Sequence, residues 1–248
     1  MQAQIFGCRG SLATPAPSRY GGNTPCVSVD AGRAIVLDAG TGISKLGGFA
    51  QVDVLLTHLH LDHIEGLGFF EPLHDPACTI TIWGPPGTAK GVETWLSPPY
   101  YPLRLADLAA AIEIREVRDE SFRIGDLDVA CAVVPHPSTT LGYRLGGLAY
   151  IPDDEARVDS GPAIELARGA DVLLHDAQYT DRECDQRAGW GHSSVSDFAA
   201  VVQAAAPGRA VMFHHDPRHD DATIEAMRDE AVRLLDRDVE IASEGLLL

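Results

Sequence analysis

The run Thr57-His58-Leu59-His60-Leu61-Asp62-His63 constrains this chain more than any other stretch. It places three imidazoles and a carboxylate within six positions, as H-x-H-x-D-H. Imidazole with carboxylate is a ligand set for Zn²⁺, Mn²⁺ or Fe. The apolar residues Val54-Leu55-Leu56 just before it read as a buried strand. On extended backbone, residues two apart point the same way, so His58 and His60 can grip one ion. Gly66 and the apolar residues after His63 predict a turn into a short helix. That turn aims Asp62 and His63 at a neighbouring point, where a second ion could sit. Two ions about 3.5–4 Å apart make a hydrolytic centre. The remaining ligands have to come from elsewhere in the chain, so the fold must gather distant strand ends.

The chain has 248 residues and 45% hydrophobic content, enough for one large domain with a proper core, and residues 1–248 read as a single domain. No stretch reaches 18 uninterrupted apolar residues, so no membrane span is expected. The first residues carry neither a basic region nor a long apolar run, which argues against a signal peptide. The five cysteines are scattered and form no C-x-x-C pair, as expected of free thiols in a reducing cytoplasm. Net charge is −17, and such a surface repels polyanions, so a nucleic-acid polymer or an acidic membrane is a disfavoured partner. A small anionic substrate is compatible, because divalent ions reverse the sign locally. A homodimer is allowed but not specified.

Short β-type runs are expected over 2–6, 26–30, 34–38, 52–57 and 79–83, with a hairpin turn at Asp30-Ala31-Gly32-Arg33. A helix is expected over 88–96, followed by a Pro-rich loop over 97–102. Strands are expected over 111–117, 121–124, 127–135, 141–145, 149–152, 171–175, 209–213 and 239–242. Helices are expected over 162–168, 195–206 (capped by Ser193 or Ser194) and 221–235. Two strand-rich halves, each followed by helices, predict an α/β (α+β) fold with two packed sheets and helices outside, a four-layer αββα sandwich.

Four more segments end an apolar strand on a ligand-type side chain. His136 follows Val133-Val134-Pro135 and would complete three imidazoles around the first ion. Asp153, preferred over Asp154, follows Tyr150-Ile151-Pro152 and could bridge both ions. His175 and Asp176 would orient the ligand imidazoles. His214 and His215 point to opposite faces, so at most one ligates, and His214 is favoured. His192 differs, lying in the glycine-flanked loop Gly189-Trp190-Gly191-His192-Ser193-Ser194. A histidine free to reach into a site suits a general acid or an oxyanion-stabilising donor. Arg9, Asn23 and Thr24 sit on Gly-rich turns and are candidates to line the substrate pocket.

These segments, in this order, resemble the metallo-β-lactamase-fold hydrolases, and the resemblance covers essentially the whole chain. It is nearest to the branch with cyclic-phosphate phosphodiesterases and tRNase Z-like proteins. Carrying it are Gly7-Cys8-Arg9-Gly10-Ser11, Gly21-Gly22-Asn23-Thr24, the H-x-H-x-D-H run, the strand end at His136 and Tyr150-Ile151-Pro152-Asp153. Asp176-Ala177-Gln178-Tyr179, Gly191-His192-Ser193 and Phe213-His214-His215-Asp216-Pro217 complete it. The resemblance implies His58, His60 and His136 on one ion, Asp62, His63 and His214 on the other, and Asp153 between them. It implies catalytic roles for Asp62 and His192, with Asp176 orienting His192. Two divalent ions, zinc first and manganese or iron as alternatives, are the implied cofactors. The chain departs from the tRNase Z pattern in its acidity and in lacking a tRNA-holding arm, and it lacks the Cys-rich zinc inserts of one phosphonate-pathway member.

The expected activity is therefore hydrolysis of a small, cyclic phosphate ester by a water whose pKa the ions lower toward about 7. A carbonyl substrate, as in a lactonase, a β-lactamase-like enzyme or a thioesterase, is the alternative. A non-catalytic iron or redox module is the third class.

Overall fold

The computed structural model describes all residues 1–248. Strands β1 (Gln2–Gly7), β2 (Cys26–Asp30), β3 (Ala34–Leu37), β4 (Gln51–Leu55), β5 (Thr79–Gly84) and β6 (Ala111–Glu116) form the first sheet in sequence order. The second sheet runs β13-β12-β11-β10-β9-β8-β7. Its strands are β7 (Ser121–Ile124), β8 (Leu127–Val134), β9 (Thr140–Leu145), β10 (Leu148–Ile151), β11 (Val172–Asp176), β12 (Arg209–Phe213) and β13 (Glu240–Ile241). The helices are α1 (Leu61–Ile64), α2 (Thr88–Trp95), α3 (Gly161–Ala167), α4 (Asp181–Gln186), α5 (Val195–Ala205) and α6 (Asp221–Leu235).

Three apolar cores define four layers. The central one interleaves Ile5, Val27, Leu37 and Leu55 from the first sheet with Tyr143, Tyr150, Leu174 and Phe213 from the second. A second core packs Ile151, Leu173 and Met212 under Phe198, Val202, Met227 and Ala231 of α5 and α6. The third covers the other face of the first sheet with Ile64, Leu67, Leu73 and Val92. This is the αββα sandwich that the sequence predicts. The local pattern explains it: β3, β4 and β5 pair in parallel and are buried on both faces, with β3 wholly apolar and β4 and β5 carrying only Asp53 and Thr81 as buried polar side chains. β8 and β6, toward the sheet edges, alternate instead.

Most expected elements form within a residue or two of their expected ends. The final strand shrinks to Glu240–Ile241, and α4 is a helix beyond those expected from the sequence. Thr180 caps α4 in a capping box with Glu183, a signature visible as Thr180-Asp181-Arg182-Glu183. Ser194, not Ser193, caps α5 in a capping box with Asp197. No helix is long and apolar enough to cross a membrane.

β3–β6 are mutually parallel, as are β10–β13. Parallel pairing brings the carboxyl ends of β10, β11 and β12 to one rim of the sandwich, where the residues that follow β4 and β8 meet them. That rim is where an open α/β sheet holds its ligands.

Candidate metal centre

His58 and His60 follow β4, and Asp62 and His63 lie on the one-turn helix α1. His136 follows β8, Asp153 follows β10, and His214 follows β12. His214 is held at φ +64, a left-handed turn that swings its ring away from the direction of His215. Potential donor atoms of His58, His60, His136 and Asp153 lie within 4.8 Å of one another, and so do those of Asp62, His63 and His214. The two groups meet at Asp153. Its Oδ2 is 3.6 Å from His58 Nε2 and 3.7 Å from His136 Nε2, while its Oδ1 is 3.1 Å from both His63 Nε2 and His214 Nε2. Asp62 Oδ2 is 3.3 Å from both His63 Nε2 and His214 Nε2. A tetrahedron of Zn–N and Zn–O bonds of about 2.0–2.1 Å has edges of about 3.3 Å.

Outer hydrogen bonds turn these nitrogens inward. His63 Nδ1 donates to Asp38 Oδ2 at 2.8 Å, His136 Nδ1 to the Gly191 carbonyl at 2.8 Å, and His214 Nδ1 to Gln178 Oε1 at 2.8 Å. His58 Nδ1 lies 3.1 Å from Thr57 Oγ1, whose own proton goes to Asp38. Each bond places the ring proton on the outer nitrogen and leaves a lone pair facing the cleft. His58 Nε2 and Asp153 Oδ1 are accordingly buried without any hydrogen-bond partner. Buried polar atoms are rarely left so, and lone pairs converging on one point repel unless a cation sits among them.

The electrostatics agree. Burial pushes His58, His60 and His136 down, which keeps them neutral and ready to ligate. Burial also opposes a charge on His63, but Asp153, Asp62 and Asp38 outweigh it and push His63 well up. Asp62 and Asp153 resist the upward pull of burial and stay well below the usual carboxylate range, because imidazoles surround them. The pocket's carboxylates thus demand positive charge, which protons or a metal can supply. The donor set fits divalent ions.

His192 is buried and donates Nδ1–H to Asp176 Oδ2 at 2.9 Å. Burial pulls His192 down. Burial pushes Asp176 well up, but the amides of Asp154 and Gln178 also donate to it and hold it as an acceptor. His192 also lies within 4.8 Å, donor atom to donor atom, of Asp153 and His214. Asp154, the rejected alternative to Asp153, faces His175 Nε2 at 3.1 Å instead. His215 donates to the Ala242 carbonyl and stays outside the cluster.

The three expected pocket residues make loop contacts. Arg9 is buried, and its guanidinium donates to the carbonyls of Gly21, Asp216 and His219 and to Ser18 Oγ. Asn23 donates to Glu244 Oε1, and Thr24 Oγ1 donates to Glu65. These polar groups brace loops. Three residues outside the expected site set matter here. Asp38 collects four donors, from Thr57 N, Thr57 Oγ1, Tyr150 OH and His63 Nδ1. Gln178 orients His214, and Gly10 lies against them so closely that a Cβ there would collide with His214 and Gln178. The strand ending Val36-Leu37-Asp38 was the available signal for Asp38.

Fold and site together define a metal-dependent hydrolase. Residues 33–215 match the beta-lactamase superfamily domain, and the chain belongs to that superfamily, on its ribonuclease Z-like branch. A ribonuclease Z of Mycobacterium bovis (strain BCG / Pasteur 1173P2) is 32% identical over 241 residues, covering 82% of each chain. The metallo-beta-lactamase fold protein YhfI of Bacillus subtilis superposes with a TM-score of 0.77 at 19% identity, over 100% of this chain and 98% of its own. Zinc-bound PqqB of Methylobacterium extorquens superposes with a TM-score of 0.74 at 23% identity, over 100% of this chain and 99% of its own.

Proposed function

We propose that residues 1–248 act as one binuclear metal-dependent phosphodiesterase domain whose substrate is a small, cyclic phosphate ester. The observation that carries the proposal is the convergence of two donor groups on the shared carboxylate of Asp153. His58, His60 and His136 would hold one ion, Asp62, His63 and His214 the other, and Asp153 would lie between. Divalent ions, zinc before manganese or iron, supply Lewis acidity there: they lower the pKa of a water and neutralise charge on the phosphoryl oxygens.

The chain's own residues do the rest. Asp62 Oδ2 also accepts the Ser11 amide at 2.7 Å, which fixes the carboxylate that would orient the attacking water. His192 keeps Nδ1 on Asp176, so Nε2 is the nitrogen left to meet substrate. To act as general acid for the departing alkoxide, Nε2 would have to carry a proton, which burial opposes and the carboxylates of Asp153 and Asp62 favour. His60 is exposed while His58 and Asp153 are buried, so substrate would enter past His60.

Kinship with ribonuclease Z favours a phosphodiester over a carbonyl substrate. It also favours a second reading, cleavage of an RNA, which the net charge of −17 opposes. Metal-loaded protein should be offered bis(p-nitrophenyl) phosphate, a 2′,3′-cyclic nucleotide, a tRNA precursor, a lactone, a thioester and a cephalosporin. Turnover of the small phosphodiesters should exceed the rest. Faster carbonyl turnover would overturn the phosphodiester assignment, and faster tRNA cleavage would replace the small substrate with RNA.

A further inference from the structure

The run Asp153-Asp154-Glu155 after β10 sends its carboxylates in three directions. Asp153 enters the cleft, and Asp154 meets His175. Glu155 turns to the loop that carries His192. Its Oε1 accepts the Gly189 amide at 2.7 Å and its Oε2 the Gly191 amide at 3.1 Å. The Glu155 amide donates to the Pro135 carbonyl at 2.7 Å, the residue just before His136.

The Gly191 peptide is therefore held from both sides. Its N–H goes to Glu155 and its C=O accepts His136 Nδ1–H at 2.8 Å. Gly191 has φ +87, and a Cβ would collide with His136 Nδ1 and Pro137 Cδ, so only glycine allows this approach. Gly189 also sits at positive φ, and Trp190 between them is exposed. The segment has little apolar anchoring of its own. Two bonds to a buried carboxylate, stronger than bonds to a neutral acceptor, hold it beside the His136 and Arg187 contacts.

We propose that Glu155 is a positioning residue that acts through the Gly191 peptide. It fixes the tautomer and direction of His136 on one side, and the reach of His192 on the other. Its catalytic consequence rests on the metal-centre reading given above; its geometric consequence does not.

The test uses the full chain with Glu155→Gln and Glu155→Ala. In metal-free protein at pH 8, ¹⁵N NMR of the imidazoles should show His136 in one tautomer, protonated at Nδ1. Glu155→Ala should give a tautomer mixture, and Glu155→Gln, which keeps one acceptor oxygen, should fall between. In metal-loaded protein, zinc affinity by chelator competition and kcat should each fall roughly 10- to 100-fold in Glu155→Ala, with KM little changed. An unchanged His136 tautomer in the variants would overturn the proposal. So would wild-type zinc affinity and kcat. If Glu155→Ala does not fold, Glu155→Gln decides by the same readouts. If wild-type protein binds no metal, the proposed function fails while the NMR comparison still decides the role of Glu155.

Discussion

His192 Nδ1 lies 2.9 Å from Asp176 Oδ2, and the His192 ring stacks on His214 at 5.1 Å between centroids. The carboxylate fixes which nitrogen carries the proton, and the stacking fixes where the other nitrogen sits beside the cluster. His192→Ala should keep the bound ions and lower kcat by roughly 10²–10⁴-fold. Asp176→Asn should cost less, about 10- to 100-fold. Elemental analysis alongside kinetics separates the roles. Loss of an ion from His192→Ala would make His192 a ligand.

Asp62 faces His63 and His214 at 3.3 Å and takes the Ser11 amide. Asp62→Ala should lower metal content or abolish hydrolysis. Full activity at full metal content would remove Asp62 from the mechanism.

Metal removal should also destabilise the fold, because His58 Nε2 and Asp153 Oδ1 would be left buried without partners. At a free zinc concentration a thousand times Kd, binding adds about 4 kcal/mol of stability. A chelator should therefore lower Tm by a clear margin in calorimetry, and re-addition should restore it.

Arg9 braces three carbonyls and Ser18 from a buried position. Arg9→Ala should cost at least about 2–3 kcal/mol in a denaturant titration, from acceptors left unpaired. KM of the folded variant should not change. A raised KM with unchanged stability would return Arg9 to the substrate pocket.

Burial pushes the Cys8 thiol up to about 12. The unfolded thiol ionises near 9 while the folded one keeps its proton, so the folded state binds more protons between these values. Stability contributed by Cys8 is fully present below pH 9 and declines toward pH 12, by about 1.4 kcal/mol per pH unit. Cys8→Ala should flatten the alkaline slope of the unfolding free energy by one proton.

How much of the site was visible in the sequence depended on whether a side chain's role follows from local spacing. His58 and His60 were visible because they sit two apart just past an apolar strand, where extended backbone sets such residues on one side. His136, Asp153 and His214 were visible as ligand types at apolar strand ends. Asp38 was not, because a strand-ending Asp looks the same whether it caps a turn or gathers four donors from distant strands. Gln178, Glu155 and the Gly191 carbonyl act through contacts between loops, which carry no periodicity. Arg9, Asn23 and Thr24 are hard to read for the same reason. Gly-rich turns beside a site look alike whether their polar groups face substrate or brace the turn. The layered fold was readable because the doubly buried strands β3, β4 and β5 are short, β-branched and mostly apolar.

Two donor groups sharing Asp153 should make one binuclear hydrolytic centre. The direct measurement is a titration of metal-free protein with Zn²⁺, following bis(p-nitrophenyl) phosphate hydrolysis against ions bound per chain. Activity should rise until two ions are bound and then level off. A plateau at one ion, or hydrolysis that does not depend on metal, would contradict it.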